Sequence, residues 1–417
     1  MRRIPVTTTL VVALAIAGCA GANPPLERST PPVARAATSL EPSPRPASFQ
    51  AWREGFRSRA IAQGISPQVF DAAFAGVGVN ADVVRLDGKQ AEFTKPIWEY
   101  LDGAASPTRV EAGRAKRAQL DQTLAAIEAR YGVDRQAVLA IWGMETNYGS
   151  NRGSMPVIES LATLAYEGRR RDFAEEQLVA ALRILQSGDV DPSHMVGSWA
   201  GAMGHTQFMP TSYLSMAVDF NGDGRRDVWS SDPTDALASA ANYLARSGWV
   251  RGQPWGVEVR VPEGFNYGSA DQSNRRPPAD WRARGVTLVS GAPLPDYGNA
   301  AIVAPAGATG PTFAVFQNFY VIKKYNNATS YAMGVGHLGD RIMGGGPFVG
   351  QWPRGERELS RTEKIELQQR LIARGHDTRS TDGVIGPDTI SAIRSFQATE
   401  GLTPDGFATA SLLQRLR

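Results

Sequence analysis

A single cysteine, Cys19, leaves the chain without an internal disulfide and without the makings of a thiolate zinc cluster. Four histidines are too few for a histidine-rich metal site. Neither sign of charge dominates. The 44 Lys and Arg against 41 Asp and Glu give a net charge of +3, which points away from nucleic acid as a partner. No apolar run is long enough to span a bilayer comfortably, and the most apolar, Val6–Ala17, is broken by three threonines. Glycine and proline, by contrast, are plentiful (43 and 27), so long loops are expected. An apolar fraction of 42% with 20% charged residues suits a folded core, and 417 residues suit two or three domains.

Arg2 and Arg3 followed by the short apolar run read as a secretory signal. The run ends in Ile16-Ala17-Gly18-Cys19, which resembles the lipobox of bacterial lipoproteins. That resemblance implies cleavage of residues 1–18, lipid on Cys19 and, since Ala20 rather than Asp follows, an outer-membrane lipoprotein facing the periplasm. The competing reading is an ordinary signal peptide with an incidental cysteine. Residues 19–48 are rich in Pro, Ser and Ala and poor in large apolar side chains, as in a disordered tether. About 30 such residues reach up to roughly 90 Å from an anchor at ~3 Å each.

From Phe49 the pattern is mainly helical. Phe49–Phe74 predicts two short helices split by Gly64-Ile65-Ser66-Pro67. Further helices are expected over Arg109–Arg130, Asp134–Glu145 (with Asp134 as N-cap), Pro156–Tyr166, Asp172–Leu185 and Thr234–Arg246. Residues 252–312 read as a strand-and-loop insert, with alternation at Val257–Val261 and Val286–Val289, and Phe313–Phe316 suggests one more strand. Leu338–Met343 closes the body at 346. Residues 347–358 are a polar, turn-rich linker, and 359–417 form a separate unit of three short helices around Leu367, Leu371, Ile393 and Phe396.

Chemistry is expected at Glu145. In Ile141-Trp142-Gly143-Met144-Glu145-Thr146-Asn147-Tyr148 one acid ends an apolar helix among Trp142, Met144 and Tyr148. Poor hydration raises a carboxyl pKa and suits a general acid. A capped or salt-bridged glutamate would look the same in sequence. A second segment, Ser198–Tyr213, joins Gly/Ala turns to Ser198, Gln207 and aromatics. Its small residues would let a bulky ligand approach, and its neutral donors and acceptors suit sugar hydroxyls and N-acetyl groups better than phosphate. His205 has no nucleophile to serve and reads as structural.

These two segments resemble the hallmark motifs of the B-type membrane-bound lytic murein transglycosylases, within the lysozyme-like superfamily. Supporting pieces are Leu161–Tyr166, Arg169-Arg170, Ala217–Phe220, Ala241–Leu244 and Asn318–Asn326. The likeness runs from about Phe49 to Gly346 and implies a mainly α, lysozyme-like catalytic domain. It places Glu145 on the family's catalytic glutamate. It places Ser198, Gln207, Phe208, Met209, Pro210, Tyr243, Tyr325, Asn326 and Tyr331 among substrate-binding cleft residues, with Arg169 and Arg170 beside them. Trp199 and His205 depart from the pattern, where tyrosines are common. The implied reaction cuts the β-1,4 bond between N-acetylmuramic acid and N-acetylglucosamine without water and leaves a 1,6-anhydro end. One glutamate acts as acid and then as base, and no cofactor takes part in the chemistry.

Asp219-Phe220-Asn221-Gly222-Asp223-Gly224-Arg225 starts like an EF-hand loop, with oxygen ligands at alternate positions, but Ser230 stands where the closing glutamate belongs. By the same family likeness the late acidic ligand is Asp235. Asp219, Asn221, Asp223, the Arg225 carbonyl and Asp235 would then hold a structural Ca²⁺. An Asp/Gly turn with no ion is the competing reading. Residues 360–417, with Asp382–Thr389, Ala392–Gln397 and Gly401–Gly406, resemble the common three-helix peptidoglycan-binding domain. Glycan strands of peptidoglycan and outer-membrane lipid are the partners expected, and nucleic acid is not. Two rivals remain from the sequence: a hydrolytic lysozyme-like muramidase and a non-catalytic wall-binding lipoprotein.

Overall fold

The computed structural model describes residues 46–88 and 95–417; Cys19, the lipobox and nearly all of the tether lie outside them. The described chain begins with two capped helices. The Ser48 hydroxyl accepts from Ala51 N–H at the start of Phe49–Ala62, and the Ser66 hydroxyl accepts from Val69 N–H at the start of Pro67–Ala73. Their aromatic sides stack, Trp52 on Phe56 at 5.3 Å and Phe70 on Phe74 at 4.3 Å. With Leu161, Leu178, Leu182, Met203, Phe208 and Tyr213 they make one hydrophobic core. A second core gathers Leu124, Ile127, Val138, Ile141, Trp142, Leu237, Phe319, Val335 and Leu338. Tyr325 packs against both.

The helices over Val157–Glu167, Arg171–Ser187 and Thr234–Arg246 fall where hydrophobic spacing places them. The single helix expected over Arg109–Arg130 is two, Pro107–Gln119 and Asp121–Tyr131, because Leu120 leaves helical dihedrals at φ −110°, ψ 21°. The bend lets Val110 on one helix and Leu124 and Ile127 on the next reach the same core, while Ala115 is left exposed. Asp134 occupies the N-cap position of Arg135–Thr146 but does not cap it. Its carboxylate accepts instead from Trp249 Nε1–H at 2.9 Å and Gly252 N–H at 3.0 Å, tying this helix start to a distant loop. Two helices without a counterpart in the sequence reading, Ala81–Gly88 and Ile97–Ala104, fill the stretch after Phe74.

The insert is a four-stranded antiparallel sheet in the order Thr287–Leu288, Gly256–Arg260, Thr312–Val315, Ala301–Val303. Val257 pairs with Ala314, and Ala314 with Ile302. One face covers Trp281, Val286 and Phe316. Residues 347–358 are packed rather than loose. Val349 and Gly350 amides donate to the Glu258 carboxylate, Phe348 and Trp352 lie on Phe313, and Arg354 pairs with Asp102 at 2.7 Å.

The C-terminal unit has helices Arg361–Ala373, Pro387–Thr399 and Ala410–Leu416 around Leu367, Leu371, Ile393, Phe396 and Leu413. A capping box at Ser360 and Glu363 starts it. It docks on the insert through Asp405, which accepts Ala308 N–H at 2.8 Å, and Arg394, which donates to the Tyr267 carbonyl at 3.1 Å.

Candidate active site

The helix Arg135–Thr146 is apolar almost all round and is correspondingly buried from Ala137 to Gly143. It stops abruptly. Asn147 (φ 48°) and Tyr148 (φ 57°) are consecutive left-handed residues, and their amides turn back to the Gly143 and Trp142 carbonyls. A left-handed tyrosine is costly, and Gln207 (φ 50°) in the second hallmark segment is a further such residue, so backbone strain gathers in these two stretches.

Glu145 lies in the last turn before that stop. Its Oε1 accepts from the Tyr331 hydroxyl at 2.5 Å. Burial pushes the carboxyl pKa up to about 7, against a smaller downward pull from Tyr331. Burial and then the nearby Glu145 charge push Tyr100 up to about 12 and hold Tyr325 and Tyr331 well above the ordinary phenol range. All three tyrosines therefore stay neutral around the acid. Among the described residues, no carboxylate contributes to the titration of Glu145. Trp142 and Tyr148 are buried edge to face against each other at 5.7 Å, and Tyr100, Tyr325 and Tyr331 add polar surroundings to the acid. Tyr100 escaped the sequence reading. Its signal is the Pro96-Ile97-Trp98-Glu99-Tyr100-Leu101 stretch, where apolar residues at helical spacing follow a proline.

The Ser198–Tyr213 segment folds on itself. Ser198 Oγ accepts from Ala202 N–H at 3.1 Å, and the Gln207 amide nitrogen donates to the Arg152 and Gly204 carbonyls. Its glycines serve the chain more directly than a ligand: a Cβ on Gly204 (φ +67°) would meet the Val228 carbonyl oxygen at 2.2 Å. Phe208, Tyr243 and Tyr325 form an aromatic group, with 5.0 Å between the two tyrosine rings and about 6 Å from each to Phe208. The Tyr325 hydroxyl donates to the Thr206 carbonyl, and that of Tyr243 to the Lys324 carbonyl. Met209, half-buried, leads into helix Pro210–Met216, with Pro210 buried at its first position. Asn326 ends helix Gln317–Tyr325, exposed, its side-chain oxygen bonded to Ala328 N–H. Ser198, Gln207, Phe208, Tyr243, Tyr325 and Tyr331 are thus tied to the two segments around Glu145 or to each other. Arg169 and Arg170 are exposed, the first bonded to Asp87 and the second lying 4.3 Å over the Phe173 ring.

The acidic loop is well formed. Asp219 accepts from the Gly222 and Gly224 amides, Asn221 from Asp223 N–H, and Asp223 from Arg225 N–H. Asp235, fully enclosed at the start of helix Thr234–Arg246, accepts from the Phe220, Asn221 and Asp227 amides. Oxygens of Asp219, Asp223 and Asp235 lie within 4.8 Å of one another. Burial, with the Asp219 charge adding to it, raises the pKa of Asp235 in spite of its three amide donors. A hard oxygen donor set with unbalanced negative charge is the chemistry that a calcium-sized cation fits.

Residues 48–340 match the transglycosylase SLT domain and residues 360–416 the putative peptidoglycan binding domain. The membrane-bound lytic murein transglycosylase B of Escherichia coli (strain K12) is 34% identical over 276 residues, which are 62% of this chain and 73% of that protein. SltB3 from Pseudomonas aeruginosa, solved in complex with NAG-anhNAM-pentapeptide, is 54% identical, with a TM-score of 0.86 over 89% of this chain and 100% of that one. The Escherichia coli lytic transglycosylase Slt35, solved in complex with calcium, is 29% identical, with a TM-score of 0.61 over 70% of this chain and 92% of that one. The mainly helical body and the appended three-helix unit agree with these matches: the chain belongs to the lytic murein transglycosylases, a family of peptidoglycan-cleaving lyases, and carries a C-terminal peptidoglycan-binding domain.

Proposed function

We propose that Glu145 serves as the single acid and base of this lytic transglycosylase. Protonated at the start, it gives its proton to the glycosidic oxygen as the bond from C1 of N-acetylmuramic acid breaks. The N-acetyl oxygen of the same sugar supports the developing cation. The Glu145 carboxylate then takes the proton of the C6 hydroxyl while O6 bonds to C1. The acid is thereby regenerated, and the product has a 1,6-anhydro end with no water consumed. One observation carries this reading: a carboxyl with its pKa pushed up to about 7, bonded to a neutral tyrosine at 2.5 Å. An ordinary glycosidase uses two carboxylates. Here burial and Tyr331 govern Glu145 among the described residues. Tyr331 supports the anion formed midway. Ser198 Oγ–H and the Gln207 side-chain oxygen are the polar groups offered to the sugars. Phe208, Met209, Pro210, Tyr243, Tyr325 and Asn326 form the wall beside them, with Arg169 and Arg170 as outlying cationic contacts.

Mass spectrometry of digested murein tests this. Wild type is expected to release muropeptides ending in anhydro sugars, and Glu145→Gln none. Reducing ends, one water heavier per cut, would instead make the protein a hydrolase. Sacculus binding without any released sugar would leave only the wall-attachment role.

Two finer readings belong here. Asp219, Asn221, Asp223, the Arg225 carbonyl and Asp235 would hold Ca²⁺, which supplies positive charge that fastens the segment after Tyr213 to helix Thr234–Arg246 and takes no part in the cleavage. The relative solved in complex with calcium supports this. Lipid on Cys19 would hold the enzyme at the outer membrane, facing the periplasm. Among the described residues no helix is long and apolar enough to cross a membrane. A Cys19→Ser chain recovered in the soluble fraction would support this, and one still sedimenting with membranes would oppose it.

A further inference from the structure

His205 joins the two hydrophobic cores where the Glu145 helix meets the Gly201–Tyr213 loop. Its Nδ1 lies 3.1 Å from Trp142 Nε1, which can only donate. Its Nε2 lies 2.8 Å from the Ser230 carbonyl oxygen, which can only accept. Together these require the neutral tautomer with the proton on Nε2. The His205 backbone adds two links: its carbonyl accepts from the Thr146 hydroxyl at 2.7 Å, and its N–H donates to the Val228 carbonyl at 3.0 Å. Trp142 and Thr146 flank Glu145, three residues before it and one after. Trp142 belongs to one core, whereas Met203 and Phe208, either side of His205, belong to the other. The ring is closely fitted, since a Cβ on Gly149 (φ +83°) would sit 2.5 Å from Nδ1.

We infer that neutral His205 is a positioning residue for Glu145, holding the last turn of its helix in register with the loop that carries Gln207 and Phe208. The inference rests on the reading of Glu145 as the acid. His205 does not touch the carboxyl; it acts through Trp142 and Thr146. Four charged groups surround the ring. Arg152 Nη1 stands 3.2 Å from Nε2, and Lys116 lines the same cavity of about 220 Å³ together with Trp142, Tyr148 and Arg152. Asp227 and Asp232, either side of the Val228–Ser230 stretch, pull the other way. Burial outweighs them and keeps the ring below its ordinary pKa. The cavity gives solvent protons a route to it. A second proton would set Nδ1–H against the Trp142 N–H, two donors face to face, and the link would open.

The test is steady-state kinetics of the full chain on defined peptidoglycan oligomers across pH, for His205→Ala, His205→Asn, Trp142→Phe and the Ala/Phe double variant. His205→Ala is expected to lower kcat about 10- to 100-fold with KM within about 3-fold, the scale of a misplaced catalytic group. Asn, whose side-chain oxygen can replace the Nδ1 lone pair, should restore kcat to within about 3-fold and shift the acidic limb of the profile to lower pH. Trp142→Phe keeps an aromatic ring but removes the donor's end of the link together with part of the buried indole, and should cost at least about as much as Ala. The double variant should then be no worse than the poorer single variant. An Ala variant with unchanged kcat, an Asn variant as impaired as Ala, or losses that multiply in the double variant would overturn the inference. If Ala fails to fold, Asn and Trp142→Phe decide it. Glu145→Gln measured in parallel separates the two claims: residual wild-type cleavage there sinks the acid assignment, whereas an inert Gln variant beside unaffected His205 variants sinks only the positioning role.

Discussion

Glu145 and Asp235 are both enclosed carboxyl groups, and their surroundings treat them differently. Glu145 has one bonded partner, a tyrosine hydroxyl, and keeps its proton to about pH 7. Asp235 receives three backbone amides and stands within reach of two more carboxylates. Burial raises both, and of the two only Asp235 is met by fixed amide donors and by neighbouring carboxylates. The difference teaches that dehydration alone does not make a carboxyl an acid catalyst; the partners fixed around the group decide what its raised pKa can serve.

Exchanging the groups separates the two environments most sharply. Glu145→Gln should reduce cleavage by about 10³-fold or more, since a lost general acid commonly costs between two and four orders of magnitude. Muropeptide release measured against time checks this, and substantial residual activity would place the proton elsewhere. Next in size is the response to metal. With Ca²⁺ in excess, chelation should lower the melting temperature by roughly 3–8 °C, and Asp235→Asn should abolish that response. Calorimetry with and without chelator reads both, and a melting point indifferent to calcium would remove the cation from the loop.

Tyr331→Phe should cost about tenfold in rate, as expected for losing one hydrogen bond to a charge. The Tyr331 hydroxyl lowers the Glu145 pKa, so its removal raises it, and the alkaline limb of kcat/KM should move to higher pH. A limb that stays in place would show that another group sets it. The smallest effect is on stability. A carboxyl whose folded pKa lies above its unfolded value stabilises least at high pH, since stability falls as pH rises from about 4.5 to 7. Glu145→Gln should therefore be more stable than wild type by about 1–3 kcal/mol at pH 8.5, with the gap closing towards pH 4. Asp235→Asn should show the opposite sign in calcium.

Much of this was legible in the sequence because the evidence was local. The apolar spacing in Thr234–Arg246, Val157–Glu167 and Ala410–Leu416 gave helices close to those observed. The acidic ladder from Asp219 to Arg225 forms the loop its alternation suggests. What escaped depends on contacts distant in sequence. Asp134 has the residue type of a cap, but Trp249 and Gly252 claim its oxygens. Leu120 sits in a helical pattern that bends only because two helices must face one core. Tyr100 reaches Glu145 through a helix nearly fifty residues earlier, and the strand Ala301–Val303 is defined by its pairing with Thr312–Val315 more than by its own composition.

The abrupt stop at Asn147 and Tyr148 has an electrostatic consequence for the acid. It leaves Glu145 in the final turn, where the aligned peptide dipoles of Arg135–Thr146 present their negative end. A negative charge is disfavoured there, whereas Asp235 sits in the opening turn of its helix, at the positive end. Chain direction alone thus biases one carboxyl towards holding a proton and the other towards giving it up, before any neighbouring side chain is counted.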